Sequence, residues 1–167
     1  MSISPRKSPR SRRRGRRGYT LLELVIVLVV MSVVTTFGVL SFSGYFQRTA
    51  AQRAAQVFAR DLTMARGWAT RGRRAVVIRF YESAMRYEVV EQSTGTQVAV
   101  RRFGTNADID LSAVSFDFAG DTVVFDSRGA ADLSGAAGPL GVATFSSGAA
   151  SYTVSFNSMG ASKIDRT

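Results

Sequence analysis

The chain has 167 residues and a formal net charge of +10, enough for one domain and an appendage. It contains no cysteine and no histidine, which excludes disulfides, thiol nucleophiles, His-ligated metal sites and His-based triads. The charge is not spread out: Arg6, Lys7, Arg10, Arg12, Arg13, Arg14, Arg16 and Arg17 contribute +8 within residues 1–18, and residues 19–167 carry only +2. That remainder is itself polarised, with eight arginines against Asp61 alone from Arg48 to Arg79, and a net −4 from Phe80 to Thr167.

Residues 19–42 read YTLLELVIVLVVMSVVTTFGVLSF, and no charge occurs from Leu24 to Leu40. Those residues make a helix of about 26 Å at 1.5 Å per residue. With their flanks, residues 19–44 are long enough for a bilayer core of ~30 Å. The arginine block ahead of them predicts a cytoplasmic N-terminus and an exported remainder. A cleaved secretory signal fits poorly, because the apolar run is too long and no A-x-A-like site follows it. An uncleaved signal anchor fits the run but leaves Glu23 unexplained. A carboxylate in hydrocarbon is unfavourable unless partnered, and marks a functional candidate. A cut between Gly18 and Tyr19 would create an α-amine four positions from Glu23. That amine, or one from a neighbouring subunit, would give the carboxylate a partner.

A basic leader ending in Gly18, then aromatic Tyr19, Thr20, Leu21, Leu22, Glu23 and a long apolar helix resembles the type IV prepilin signal. The resemblance implies that a prepilin peptidase cuts between Gly18 and Tyr19 and methylates Tyr19. It makes Glu23 the acid used in assembly with other pilin or pseudopilin subunits. The family commonly has Phe where this chain has Tyr19.

Gly38, Ser41, Ser43 and Gly44 interrupt the apolar run. They suit close helix packing and equally a helix that melts during assembly. Residues 45–74 then place Phe46, Ala50, Ala54, Val57, Phe58, Leu62, Ala65 and Trp68 or Ala69 at three- and four-residue intervals. This predicts an amphipathic continuation of the same helix over 19–74, stopped by Gly72.

From residue 75 the period becomes two. Segments 75–81, 86–92, 97–103, 114–118, 122–127, 141–146 and 151–157 read as strands, and 128–140 as a Gly-rich loop. No fixed repeat is evident. The expected fold class is α+β: a basic leader over 1–18, a long helix over 19–74, and an antiparallel β domain over 75–167 that covers the helix.

Three segments add a finer resemblance to the GspH/FimT family of minor pseudopilins and pilins. They are FARDLTMARGWATRGRRAVVIRF (58–80) with Ala65-Arg66, VVFDSRGAADL (123–133) with Gly129, and YTVSFNSMGASKI (152–164) with Gly160. The resemblance implies a minor subunit at or near the tip of a type II secretion pseudopilus or a type IV pilus. It would sit in the bacterial inner membrane by a single pass, in contact with its lipid, and enter a filament on assembly.

The alternative that the resemblance implies is a FimT-like DNA-binding minor pilin for natural transformation. Arg71, Arg73, Arg74 and Arg79, with Trp68 nearby, would contact phosphate. No stacking aromatics interleave a basic strand face, and Met159 to Thr167 carries only Lys163 and Arg166. Nucleic acid is therefore the less favoured partner. An enzyme is disfavoured, since Asp108, Asp110, Asp117, Asp121 and Asp126 occupy loop and strand-edge positions where solvated acids are ordinary. DIDLSAVSFD (108–117) lacks the glycine and terminal Glu of a calcium loop, and no cofactor or metal is called for.

Overall fold

A computed structural model describes residues 19–105, 107–117, 121–136 and 138–167, except for the side chains at 38–41 and 43. The leader, Gly18 included, lies outside the described residues. The chain divides into two units, Met1–Val39 and Leu40–Thr167.

One helix, α1, runs Leu21–Gly72. It passes without a break through the Gly38 to Gly44 region, where Gly44 has nothing within 4 Å of where a Cβ would stand. The side chains of Gly38, Ser41 and Ser43 lie outside the described residues. In the first unit every described side chain from Tyr19 to Phe37 is exposed. The hydroxyls there are satisfied within the helix: Ser32 donates to the Val29 carbonyl, Thr35 to Met31 and Thr36 to Ser32, at 2.7–2.9 Å. Among the described residues no helix is long and apolar enough to cross a membrane.

Among the described residues of the second unit the helix faces nine strands: β1 (Val76–Tyr81), β2 (Arg86–Glu91), β3 (Gln97–Arg102), β4 (Ala113–Asp117), β5 (Thr122–Phe125), β6 (Ala131–Asp132), β7 (Gly141–Ser147), β8 (Ala150–Phe156) and β9 (Ser162–Arg166). They form two antiparallel sheets, ordered β3-β2-β1-β5-β6 and β4-β7-β8-β9. The expected α+β architecture is the observed one. Seven strands fall where the period-two pattern puts them. β6 lies inside the stretch expected as a loop and has two residues, too few for a period to register. β9 reads SKIDR, is exposed along its whole length, and has no apolar alternation to signal it.

The helix stripe needs correction at its edges. Ala51, Ala54, Ala55, Phe58, Leu62, Ala65 and Ala69 are fully buried, while Phe46 and Trp68 are exposed. Small residues win the buried positions because alanine lets the helix approach both sheets closely. Phe58 sits where the three layers meet, its ring 5.5–6.4 Å from Phe80 and Tyr87 of one sheet and Phe116, Phe145 and Phe156 of the other. These are tilted and edge-on aromatic contacts, worth something beyond the buried area alone.

The helix ends at Gly72, as expected, and it is the next residue, Arg73, that takes the left-handed conformation, at φ 48°. The Arg74 N–H then returns to the Ala69 carbonyl at 3.2 Å, the six-to-one bond of a Schellman cap.

Candidate functional site

The N-terminus of α1 is built by Thr20. Its Oγ1 accepts the Glu23 N–H at 3.2 Å, and its carbonyl accepts the Leu24 N–H at 3.2 Å. Thr20 is the helix cap and Glu23 the third helical residue, the threonine half of a capping box. Glu23 therefore lies in the first turn, where the helix dipole favours a negative charge. Its side chain is exposed, and among the described residues it makes no ion pair. Tyr19 precedes the cap and is not helical, so in the uncut chain Tyr19 and Glu23 do not stack as i and i+4 on a helix face. Gly18, the other half of the expected cleavage site, is outside the described residues.

The arginine group is only partly brought together. Arg71 folds back along the helix, its Nη2 3.5 Å from where a Gly67 Cβ would stand. Arg74 donates to Glu91 Oε1 at 2.7 Å. That pair holds the Glu91 carboxyl below its ordinary range, with the Ser93 hydroxyl assisting. Arg71 and Arg74 flank the half-exposed Trp68, and shallow cavities open beside it. Arg73 is exposed in the turn. Arg79 is elsewhere, in the middle of β1, opposite Glu88 on β2 and Thr122 on β5. Three of the four arginines thus share the helix end; the fourth belongs to a sheet face. Among the described residues no acidic cluster could hold a metal ion.

The three segments 58–80, 123–133 and 152–164 converge on one side chain. Phe125-Asp126-Ser127-Arg128-Gly129-Ala130 and Phe156-Asn157-Ser158-Met159-Gly160-Ala161 form two turns of the same construction. In the first, Asp126 Oδ1 accepts the Arg128 and Ala130 N–H groups, both at 2.8 Å. In the second, Asn157 Oδ1 accepts the Met159 and Ala161 N–H groups, both at 3.0 Å. Each glycine N–H returns to the carbonyl of its Asp or Asn, at 2.9 and 2.8 Å. Each turn follows a fully buried phenylalanine. The Ala131 N–H joins them by donating to the Ser158 carbonyl at 2.6 Å.

Both glycines have positive φ, 83° at Gly129 and 72° at Gly160. Both lie against Arg66: a Cβ at Gly129 would stand 3.0 Å from its Cγ, and one at Gly160 would stand 3.3 Å from its Cδ. The Ala65-Arg66 pair is thus a buried residue followed by a stem that runs between two matched turns. The paired turns are a short repeat that period analysis misses. Aligning FDSRGA with FNSMGA reveals it.

A family model for the type II transport protein GspH matches residues 54–160, and one for the prokaryotic N-terminal methylation motif matches residues 13–39. The chain belongs to the GspH family. The GspH match spans the Arg66 stem and both glycine turns, and the methylation motif spans Gly18, Tyr19 and Glu23. The type IV minor pilin FimU of Pseudomonas aeruginosa is similar in structure, with a TM-score of 0.52 at 16% identity over 72% of this chain and 92% of that one. The two share the pilin-like fold, a helix on antiparallel sheets. The minor pseudopilin EpsH of the Vibrio cholerae type 2 secretion system gives a TM-score of 0.49 at 12% identity, over 70% of this chain and 96% of its own. No curated protein sequence matches the chain.

In the sequence, Asp61 stands out only as the lone acid among arginines. In this GspH-family chain it is fully buried on the helix. It accepts the Tyr87 hydroxyl at 2.9 Å and the Arg101 guanidinium at 2.8 and 3.2 Å. Its place in the helical stripe, four positions before Ala65 and three after Phe58, is the signal that sequence offers for this role.

Proposed function

We propose that this chain is a minor pilin or pseudopilin subunit, cut by a prepilin peptidase between Gly18 and Tyr19, methylated on Tyr19, and assembled with other pilin-type subunits. The observation that carries this reading is the order of the two family matches. An N-terminal methylation motif over 13–39 leads directly into a GspH domain over 54–160, on a single helix whose leading part exposes its apolar side chains. Those side chains suit lipid before assembly and neighbouring helices after it. The internally bonded hydroxyls of Ser32, Thr35 and Thr36 suit both settings, since neither supplies water. The uncharged sequence continues through Leu40, so the anchor is a single pass in the inner membrane, with the basic leader cytoplasmic and the β domain outside.

In this reading Glu23 is the assembly acid. It lies in the first turn behind the Thr20 cap, four positions in sequence from the new α-amine at Tyr19. A staggered neighbour's amine gives the same carboxylate its partner, which fixes register between helices. The subunit works as a structural component rather than an enzyme, and its place is at or near the filament tip.

DNA binding through Arg71, Arg73, Arg74 and Arg79 is the second reading. It has less support, because Arg74 is engaged by Glu91 and Arg79 stands apart on the sheet.

Intact-mass measurement of the protein from membranes, with and without a coexpressed prepilin peptidase, tests the leading reading. The expected product lacks residues 1–18 and carries one methyl group on Tyr19. An uncut chain beside a correctly processed control prepilin would overturn it.

A further inference from the structure

The outward face of the five-stranded sheet carries Arg79, Arg86 and Arg102 beside the carboxylate of Glu88. Arg86 on β2 stands directly opposite Arg102 on β3, and like charges so placed repel. Glu88 lies on the same face, where its charge faces Arg79 and Arg86 while its Oε1 accepts the Tyr81 hydroxyl at 2.7 Å and its Oε2 accepts Gln97 Nε2 at 2.9 Å. Among the described residues no carboxylate lies within ion-pair distance of Arg86 or Arg102.

The Arg86 guanidinium is held 4.4 Å above the Tyr81 ring. Its Nε is buried and has no acceptor among the described residues, and a buried polar group ordinarily has a protein, water or ligand partner. Both arginines line an open cavity of about 610 Å³ together with Gln97, Thr105 and the exposed Asp108. Its donors suit an anion taken by guanidinium groups.

The domain's charge selects the kind of anion. Phe80 to Thr167 is net −4, so a polyanion laid across this surface meets a repulsive field along its length. A single carboxylate entering the cavity meets two arginines against the one carboxylate of Asp108. We propose that the Arg86–Arg102 cavity receives an acidic side chain from another filament subunit. This rests on the assembly-subunit reading above, and adds to it a contact on the β domain distinct from Glu23.

The test uses the full-length chain in detergent micelles, ¹⁵N-labelled at arginine, with the Nε–H signals followed by NMR. The probes are a blocked Gly-Asp-Glu-Gly peptide, its blocked Gly-Asn-Gln-Gly counterpart, inorganic phosphate and a short single-stranded DNA. The acidic peptide should shift the Arg86 Nε–H signal saturably, and its neutral counterpart should not. Arg102→Gln, at an exposed position, should weaken that binding about tenfold or more, and Arg128→Gln should leave it unchanged. No saturable shift, phosphate binding as tightly as the peptide, or DNA binding more tightly would each overturn the proposal. Peptidase processing at Gly18–Tyr19 is measured on the same samples. Failure of processing in the parent chain counts against the subunit reading alone, whereas normal processing with no peptide response counts against this cavity alone.

Discussion

Asp61 and Arg101 form a two-bonded ion pair that ties the helix to β3, with Nε to Oδ2 at 2.8 Å and Nη2 to Oδ1 at 3.2 Å. The Asp61 side chain is fully buried and that of Arg101 is 34% exposed. The hydrogen bond to Asp61 holds the Arg101 pKa above its ordinary value. Burial, followed by the Asp61 charge, raises that of the Tyr87 hydroxyl. The asymmetry in exposure yields a prediction. Arg101→Ala strands a buried carboxylate and should cost about 3–5 kcal/mol. Asp61→Ala leaves an arginine that can reach water and one buried hydroxyl, and should cost less, roughly 2–3 kcal/mol. Urea unfolding of the full chain in detergent, read by Trp68 fluorescence, gives both values. The double variant should cost less than the two singles together.

The matched turns should differ in tolerance. A Cβ at Gly129 would stand 2.7 Å from Thr70 Cγ2, whereas the nearest atoms at Gly160 are 3.3 Å away. Both substitutions carry the left-handed backbone penalty of about 1–2 kcal/mol, and Gly129→Ala adds an overpacking cost of about 1–3 kcal/mol. Gly129→Ala should therefore be the more destabilising, and Thr70→Ser should recover part of that difference. Equal midpoints for the two alanine variants in the same unfolding assay would contradict this account.

Arg73 holds a left-handed conformation without being glycine. Arg73→Gly should raise stability by about 1 kcal/mol, seen as a higher urea midpoint with an unchanged slope.

Acid should weaken the β domain through carboxylates held below their ordinary range, Asp126 and Glu88 among them. The Ala130 N–H foremost holds the Asp126 carboxyl below its ordinary value, and the Tyr81 hydroxyl foremost does the same for Glu88. Unfolded carboxylates titrate near about 4. A depressed folded value means the contribution is complete above that point and disappears as pH falls through the lower folded values. Stability from these groups should be level near neutrality and decline below about pH 4. Asp126→Asn copies the acceptor that Asn157 already provides in the twin turn, so it should keep the fold and flatten that part of the acid decline.

Glu23→Gln retains the backbone bond from residue 23 to Thr20 and removes only the charge. The expected outcome is normal cleavage and methylation by intact mass, with strongly reduced recovery in sheared filament fractions. Recovery equal to the parent would remove Glu23 from assembly.

The sequence alone determined the helix, seven of the nine described strands and the N-terminal methylation motif, because each is written in contiguous residues. A 3.6-residue stripe, a two-residue alternation and a leader–Gly–aromatic–Glu string need no distant partner to be recognised. β9 and β6 escaped because one is exposed throughout and the other too short, so neither shows an apolar period. Only the tertiary structure decided what Asp61 does, since its partners Tyr87 and Arg101 are 26 and 40 residues away. Only the tertiary structure gathered Arg66, Gly129 and Gly160, or separated Arg79 from the helix-end arginines. Those relations depend on which strands pair and which surfaces bury one another. Burial is the sum of contacts distant in sequence, and no local pattern encodes it.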